Sequence, residues 1–174
     1  MRPLLILSAL LAFGQLHAQK AFPRIEGQTA EGRTVVLPEA APRKYTLIGM
    51  AYGQKAQPLL EDWYEPAYLR FVAKHGLFAG LYDVRVFFVP LFVGANKAAY
   101  EPSLAKFRRS ASPEVVDLVV FAKAELELLQ AELDMTDKAL PYIFVLDEQG
   151  RIVHRTQGGF TEEKLEAIEE LLLQ

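Results

Sequence analysis

The stretch ALPYIFVLDEQGRIVHRTQGG, residues 139–159, carries the strongest structural signal of the chain. Pro141 to Asp147 and Arg151 to Arg155 are two β-rich runs, and Glu148-Gln149-Gly150 joins them. A short connection that ends in glycine is typical of a hairpin, because glycine readily takes the left-handed backbone conformation that such turns require. The sequence therefore predicts an antiparallel pair of strands late in the chain.

A helix is predicted directly after this hairpin. Thr161 can cap its first turn, and Glu162 and Glu163 suit the positive end of a helix dipole. Apolar residues then recur at helical spacing, which predicts that one face packs against the sheet. The residues expected on that face are Leu165, Ile168 and Leu172.

Upstream, three further runs predict strands. Val84 to Val93 is the most apolar and is expected at the centre of the sheet, with a bulge or an early end at Pro90. Tyr45 to Tyr52 is continuously apolar, which suits a strand buried on both faces. A short strand follows the turn glycine in Gly32-Arg33-Thr34-Val35-Val36-Leu37.

Helices are predicted between these strands. One begins at Pro58, is kinked or split at Pro66, and ends near His75-Gly76. A second extends from about Lys97 to Arg109. Val115 to Leu133 suits one long helix, but its first half, Val115 to Phe121, is also rich enough in valine to form a strand, and periodicity leaves both open. The alternation of strands and helices indicates an α/β fold.

Residues 1–18 have the layout of a cleaved secretory signal. Arg2 precedes an apolar run from Leu4 to Leu16, and the small residue Ala18 stands at the expected cut. A membrane anchor is the alternative, but about thirteen residues fall short of the roughly 20 needed to cross a bilayer. We therefore expect a signal peptide at 1–18 and one domain at 19–174, located in the periplasm or outside the cell without a stable membrane span.

Composition excludes several classes of function. The 174 residues have a formal net charge of −3 and no lysine-arginine run with interleaved aromatic residues, so nucleic acid is not an expected partner. Cysteine is absent, which rules out a thiol nucleophile, a thiolate metal site and disulfide exchange. Stability must come from packing, in a chain long enough to bury a core of its own.

Three features together resemble the thioredoxin-like superfamily, and within it the exported thiol-disulfide oxidoreductases and the peroxiredoxin-like group. They are the stretch 32–37, the buried strand 47–52 leading to the helix from Pro58, and the C-terminal stretch 139–159 with its acidic helix. The resemblance implies a three-layer sandwich with a central mixed β-sheet flanked by helices. It also implies a helical insertion, Ala95 to Leu133, before the C-terminal hairpin.

The resemblance also implies where a site would lie. Redox-active relatives carry an aromatic residue and Cys-x-x-Cys between the strand and the helix, and here both cysteine positions are empty. The family's cis-proline would be Pro141, although a trans proline at the start of a strand is the alternative. The implied binding site consists of Tyr52, Gly53, Gln54, Lys55 and Ala56 together with Leu140 and Pro141.

Other constellations carry little chemistry. His75 suits the C-terminal end of a helix and His154 a solvent-facing strand position, so neither predicts a catalytic triad or a metal site, and no cofactor is predicted. Carboxylate pairs such as Glu162-Glu163 lie on predicted helices, where a solvated face is usual. An aromatic set either borders a peptide groove or belongs to the core, with Trp63 only partly buried: Tyr52, Trp63, Tyr64, Tyr68, Phe71 and Tyr142.

Three functions remain open. The first is a non-catalytic module that binds a protein or peptide, or acts like a chaperone, in the groove between Tyr52–Gln57 and Leu140-Pro141. The second is a structural or assembly factor that uses the segment Ala95 to Leu133, for which an exposed apolar patch would be the mark. The third is an enzyme of non-thiol, metal-assisted chemistry.

Overall fold

The computed structural model describes residues 20–40, 43–73 and 80–174. Within them, seven strands form one sheet: β1 (Ile25–Thr29), β2 (Thr34–Leu37), β3 (Tyr45–Ala51), β4 (Val84–Val93), β5 (Val120–Ala124), β6 (Tyr142–Asp147) and β7 (Ile152–Gln157). Their order across the sheet is β2-β1-β5-β4-β3-β6-β7. The pairs β3–β4 and β4–β5 are parallel and the remaining neighbours are antiparallel, so the sheet is mixed, as the sequence predicts.

Strand β4 lies in the middle of the sheet, which confirms the prediction for Val84–Val93. Its side chains alternate between two cores, because successive residues of a strand point to opposite faces: Phe88 belongs to one core and Phe87 to the other. The strand continues through Pro90, so the predicted early end was wrong. The ladder with β3 stops at Pro90, and pairing on the β5 side consists of a bridge at Phe88 and a ladder from Leu91, so the missing N–H of proline falls in the gap between that bridge and that ladder.

Helices cover both faces of the sheet. Leu60, Leu104 and Ile168 bring three helices to one core, whereas Leu129 brings another to the second core. The architecture is therefore a three-layer sandwich. The helices are α1 (Ala56–Glu61), α2 (Tyr64–Ala67), α3 (Tyr100–Ser110), α4 (Pro113–Val116), α5 (Leu126–Leu133) and α6 (Glu162–Leu172), with a π-helical turn at Tyr68–Val72 and a 3₁₀ turn at Gly94–Ala99.

The predicted helix from Pro58 is divided, as Pro66 requires. Helix α1 ends at Glu61, α2 starts at Tyr64, and the π-helical turn follows α2 directly. The break precedes Pro66 because a proline ring clashes with the carbonyl four residues earlier, here that of Asp62. The predicted end at His75-Gly76 lies outside the described residues.

The segment from Ala95 to Leu133 differs most from its prediction. A single helix over Val115 to Leu133 was wrong, and the strand alternative for Val115 to Phe121 was right only at its end, because α4 ends at Val116 and β5 begins at Val120, before α5. Strand β5 fits between β4 and β1, so Val120, Phe121 and Ala122 are buried from both sides. The expected insertion is therefore not purely helical, because it supplies an inner strand of the sheet.

The C-terminal predictions are confirmed. Gly150 has φ 73° in the turn between β6 and β7, and its N–H donates to the carbonyl of Asp147 at 2.9 Å. The hydroxyl of Thr161 accepts from the N–H of Lys164 at 3.4 Å, which caps α6. The predicted inner face of α6 is buried at all three positions: Leu165, Ile168 and Leu172.

Candidate functional site

The loop that would hold the redox pair connects β3 to α1. Gln54 and Lys55 are exposed, whereas Ala56, the first residue of α1, is completely buried. The carbonyl of Gly53 accepts hydrogen bonds from the N–H groups of Ala56 at 3.0 Å and Gln57 at 3.3 Å. These hydrogen bonds give the loop the geometry of a first helical turn, and its two polar side chains are exposed to solvent.

Gly53 is pressed against the segment that precedes β6. A Cβ atom at this position would lie 1.9 Å from the carbonyl oxygen of Lys138, far below any allowed contact. Only glycine therefore fits between the loop and residue 138. Gly53 is the position at which the resemblance implies the first cysteine of the redox pair, and the carbonyl oxygen of Lys138 lies where a side chain there would begin.

Two tyrosines form hydrogen bonds with the backbone of the segment that precedes β6. The hydroxyl of Tyr52 donates to the carbonyl of Met135 at 2.9 Å, and the N–H of Asp137 donates to the hydroxyl of Tyr142 at 2.7 Å. Burial, together with the nearby Tyr142 and Asp137, raises the pKa of Tyr52, so its hydroxyl keeps its proton. Both aromatic rings are buried in the second core, and neither offers a face to a groove.

Pro141 does not have the predicted geometry. Among the described residues the cis peptide bond is Leu37–Pro38, and the bond between Leu140 and Pro141 is trans, so the expected cis-proline was wrong. Pro141 is buried at the start of β6, where a trans proline is tolerated, and its carbonyl accepts from the N–H of Gly158 at 2.8 Å. The carbonyl of Pro141 therefore already has a hydrogen-bond partner within the chain.

A cavity of about 560 Å³ begins on the other side of the same loop. Gly53 and Gln54 stand at its edge, and it continues between α1 on one wall and α3 with α4 on the other. Leu140 and Pro141 are not among its lining residues. The apolar part of the lining combines aromatic and cyclic side chains with smaller ones: Tyr64, Pro90, Phe92, Phe107 and Phe121, with Ala99, Ala111 and Val115.

Polar groups surround this apolar lining. Amides come from Gln54, Gln57 and Asn96, and hydroxyls come from Ser103 and Ser112. Such a combination of an apolar surface with a few hydrogen-bonding groups is typical of ligand sites, whose volumes are commonly about 300 to 1,000 Å³. The arrangement suits a ligand that carries both amide and apolar groups.

Two opposite charges line the cavity. Glu61 lies on α1 and Lys106 on α3, and within the described residues neither has an ion-pair partner. The ring of Tyr64 packs on Phe88 with centroids 4.5 Å apart. Burial, and to a smaller extent Glu61, raises the pKa of Tyr64, so its hydroxyl remains a hydrogen-bond donor at the cavity wall.

A second cavity, of about 440 Å³, adjoins the first through Ser112 and Val115. Its other lining residues are Glu65, Tyr68, Leu69 and Glu114. The side chain of Leu69 is 57% exposed and offers an apolar surface at this cavity. Hydrogen bonds from its own backbone and from Ser112 lower the pKa of Glu114, so this carboxylate stays ionised.

Trp63 has a structural role. It was expected to be partly exposed, but it is completely buried, and its ring N–H donates to the carbonyl of Gly158 at 3.2 Å. The ring also packs edge-on against Phe160, with centroids 5.4 Å apart. Trp63 therefore ties the break between α1 and α2 to the segment that follows β7.

The histidines provide no metal site within the described part of the chain. In residues 20–40, 43–73 and 80–174, no group of three histidine, aspartate or glutamate side chains is arranged to hold a metal ion. His154 is half-buried rather than solvent-facing, because β7 lies partly covered, and desolvation lowers its pKa. His75 lies outside the described residues.

The second wall of the cavity was not predicted from the sequence. Tyr100, Leu104 and Phe107 recur at helical spacing on α3, which indicates a buried face but not that Phe107 borders an open space. Phe107 is half-buried, whereas the other two are buried. No helix of the described residues is long and apolar enough to cross a bilayer.

Comparison with known proteins identifies the fold. No family model and no curated protein sequence matches the chain. Among solved structures, BsSco, a member of the Sco family of cytochrome c oxidase assembly proteins, aligns with TM-score 0.60 at 12% identity over 88% of this chain and 92% of that one. A putative thiol:disulfide interchange protein DsbE from Chlorobium tepidum aligns with TM-score 0.55 at 13% identity over 89% and 94%.

A third structure agrees with these two. The C-terminal domain of a putative thiol-disulfide oxidoreductase from Bacteroides thetaiotaomicron aligns with TM-score 0.55 at 12% identity over 89% of this chain and 95% of that one. Similarity at such low identity establishes the fold, and the chain has the thioredoxin-like fold that its sequence resembles. With no cysteine in its 174 residues, it cannot perform the dithiol reaction named in two of these descriptions.

Proposed function

We propose that the chain is an exported, non-catalytic thioredoxin-fold protein that binds an extended segment of another envelope protein. The observation that carries this proposal is the cavity of about 560 Å³ whose edge is formed by Gly53 and Gln54, at the loop where the redox pair is missing. The binding surface differs from the one expected from sequence. It lies between α1 and α3–α4, and not between the loop and Leu140-Pro141.

The chemistry of the lining supports a peptide as the ligand. A peptide backbone offers alternating N–H and C=O groups, and the amides of Gln54, Gln57 and Asn96 can both donate to and accept from such groups. The aromatic part of the lining, including Phe92 and Phe107, suits an apolar side chain of the peptide. A loop without thiols leaves such a ligand bound and chemically unchanged.

Export is supported by residues 1–18, with their apolar run and a small residue at the expected cut. The proposed mature chain is the single domain 19–174. Its partner is then another protein or peptide of the periplasm or the extracellular space. Amino-terminal sequencing of the protein from a periplasmic fraction tests this part, and Gln19 is the expected first residue.

The assembly-factor hypothesis shares this surface with the binding hypothesis. One wall of the cavity belongs to the segment Ala95 to Leu133, through Ser103, Lys106 and Phe107. The large exposed apolar side chains of the described residues are Leu69, Leu81 and Leu173, and none lies within that segment. A partner would therefore contact the segment at the cavity and not at a separate apolar patch.

A cavity-filling substitution tests the proposed site. Ser103 lies on α3 and lines the cavity, so Ser103→Trp places an indole ring in the space that a peptide would occupy. Glu101→Trp is the matched control, because it adds the same residue to the same helix at an exposed position outside the lining. Circular dichroism and thermal unfolding confirm that both variants remain folded.

Binding is measured on the purified domain 19–174. Peptides are selected from a random heptapeptide library, and their dissociation constants are measured by fluorescence anisotropy. We expect Ser103→Trp to weaken binding at least tenfold and Glu101→Trp to leave it unchanged. Equal affinity of the wild type and a folded Ser103→Trp variant, or no enrichment of any peptide, would show that the cavity is not a peptide site.

A further inference from the structure

The two adjoining cavities differ in charge. The larger one has one carboxylate, Glu61, and one ammonium group, Lys106, so its lining is neutral as a whole. The smaller one has two carboxylates, Glu65 and Glu114, and no cation in its lining. A ligand that extends across both cavities therefore passes from a neutral, mainly aromatic site to a negative one.

The two carboxylates of the smaller cavity are not paired with the nearby Arg70. Arg70 follows Glu65 on the adjacent helical turn, but its guanidinium pairs with Glu162 and Glu169 of α6. Within the described residues, Glu65 and Glu114 take part in no ion pair.

The smaller cavity has apolar groups that suit the stem of a long cationic side chain. Lysine and arginine bury their methylene chains on apolar surfaces and keep the charged head near polar groups. Leu69 and Val115 offer such a surface, and the half-buried ring of Tyr68 can also contact a cation.

We infer that the segment bound in this groove carries an apolar residue and, two positions before or after it, a lysine or arginine, with the apolar side chain in the larger cavity and the basic one in the smaller. This inference rests on the proposed function and specifies the chemistry of the partner. Ser112 and Val115 line both cavities, so the cavities adjoin, and alternate side chains of one extended segment, which share a face, can enter the two sites. The side chain in the smaller cavity is the basic one, because Glu65 and Glu114 line that cavity.

Three fluorescein-labelled heptapeptides test the inference, with Leu-Ala-Lys, Leu-Ala-Gln or Leu-Ala-Glu at the centre of an otherwise identical alanine and glycine sequence; they are called the Leu-Lys, Leu-Gln and Leu-Glu peptides. We expect the Leu-Lys peptide to bind the wild type most tightly and to weaken as salt is added, since exposed ion pairs are screened. In the double variant Glu65→Gln/Glu114→Gln its affinity falls by about two- to fivefold for each carboxylate removed. The Leu-Gln peptide should bind both proteins equally.

The control is Glu166→Gln/Glu170→Gln, which removes two exposed carboxylates from α6, outside both cavities. It should leave the order of the three peptides unchanged. The charge-reversal variant Glu65→Lys/Glu114→Lys should reverse the preference in favour of Leu-Glu. These measurements separate local charge complementarity from a general effect of net charge.

The possible failures are distinguishable. If the three peptides bind the wild type equally and Ser103→Trp abolishes all binding, the inference about charge is wrong while the proposed function stands. If none of the three binds although library peptides do, the apolar-basic pattern is equally overturned. If Ser103→Trp has no effect on any peptide, the proposed function itself fails.

Discussion

The contact between Gly53 and Lys138 predicts that Gly53→Ala lowers the free energy of unfolding, although a glycine-to-alanine change often raises it. Replacing a glycine by alanine usually stabilises a protein by about 0.4 to 1 kcal/mol where the backbone permits it, because the unfolded chain loses freedom. Gly53 is not in the left-handed backbone region, so its conformation suits alanine. The added Cβ, however, would lie 1.9 Å from the carbonyl oxygen of Lys138.

The overlap must be relieved by moving the backbone, because the contacting atom belongs to the main chain. Forcing an additional methyl group into a packed site costs about 1 to 3 kcal/mol. The segment that must move is held by the hydrogen bonds from Tyr52 to Met135 and from Asp137 to Tyr142, each worth about 0.5 to 1.5 kcal/mol. We therefore expect Gly53→Ala to lower the free energy of unfolding by about 2 to 4 kcal/mol.

Urea unfolding followed by circular dichroism measures this change. With a slope of about 2 kcal/mol per molar urea, the midpoint should fall by about 1 to 2 M. Gln54→Ala, at the next and exposed position, is the control and should change stability by less than about 0.5 kcal/mol. A Gly53→Ala variant that is as stable as the wild type, or more stable, would refute the tight contact between residue 53 and the carbonyl group of Lys138.

Two other predictions concern stability. Trp63→Phe removes the hydrogen-bond donor to the Gly158 carbonyl and part of a buried ring, so it should lower the free energy of unfolding by about 2 to 4 kcal/mol, measured with urea. Leu173→Ala, at an exposed position, should lower it only slightly. Similar small losses in both variants would contradict the assigned role of Trp63. Because desolvation lowers the pKa of His154 in the folded protein below its ordinary value of 6.5, the unfolded chain binds the proton at a higher pH than the folded chain does. Burial of neutral His154 therefore leaves the free energy of unfolding undiminished above pH 6.5 and lowers it as the pH falls below that value. Unfolding measured between pH 8 and pH 5 should therefore decline less steeply in His154→Gln than in the wild type, and parallel curves would show that desolvation of His154 is negligible.

Local sequence patterns were sufficient for the elements whose residues decide their structure by themselves. The turn at Gly150, the cap at Thr161 and the apolar run Val84–Val93 all appear in the structure as predicted. Each depends on short-range chemistry: a positive φ, a hydroxyl near free N–H groups, or continuous burial. The first strand, Ile25–Thr29, was not predicted, because its polar residues and central glycine carry no strand signal until β2 and β5 pair with it.

The proposed binding surface could not be found in the same way. The residues of the vacant redox loop were located by resemblance, but Tyr52 and Tyr142 turned out to be core residues, and Leu140 and Pro141 do not line the cavity. The opposite wall comes from Ser103, Lys106 and Phe107, about fifty residues further along the chain than Gln54. Their distance in the sequence carries no information about their distance in space.

The sequence alone determined that this chain is an α/β protein without thiol chemistry, because hydrophobic periodicity and the absence of cysteine are properties of the residues themselves. Only the tertiary structure decided how Val115 to Leu133 is divided and where the open space lies. A valine-rich run becomes a strand when two neighbouring strands offer their backbone groups, and a cavity exists only where packed elements leave a gap. Both outcomes depend on contacts between residues far apart in the chain, which no local pattern records.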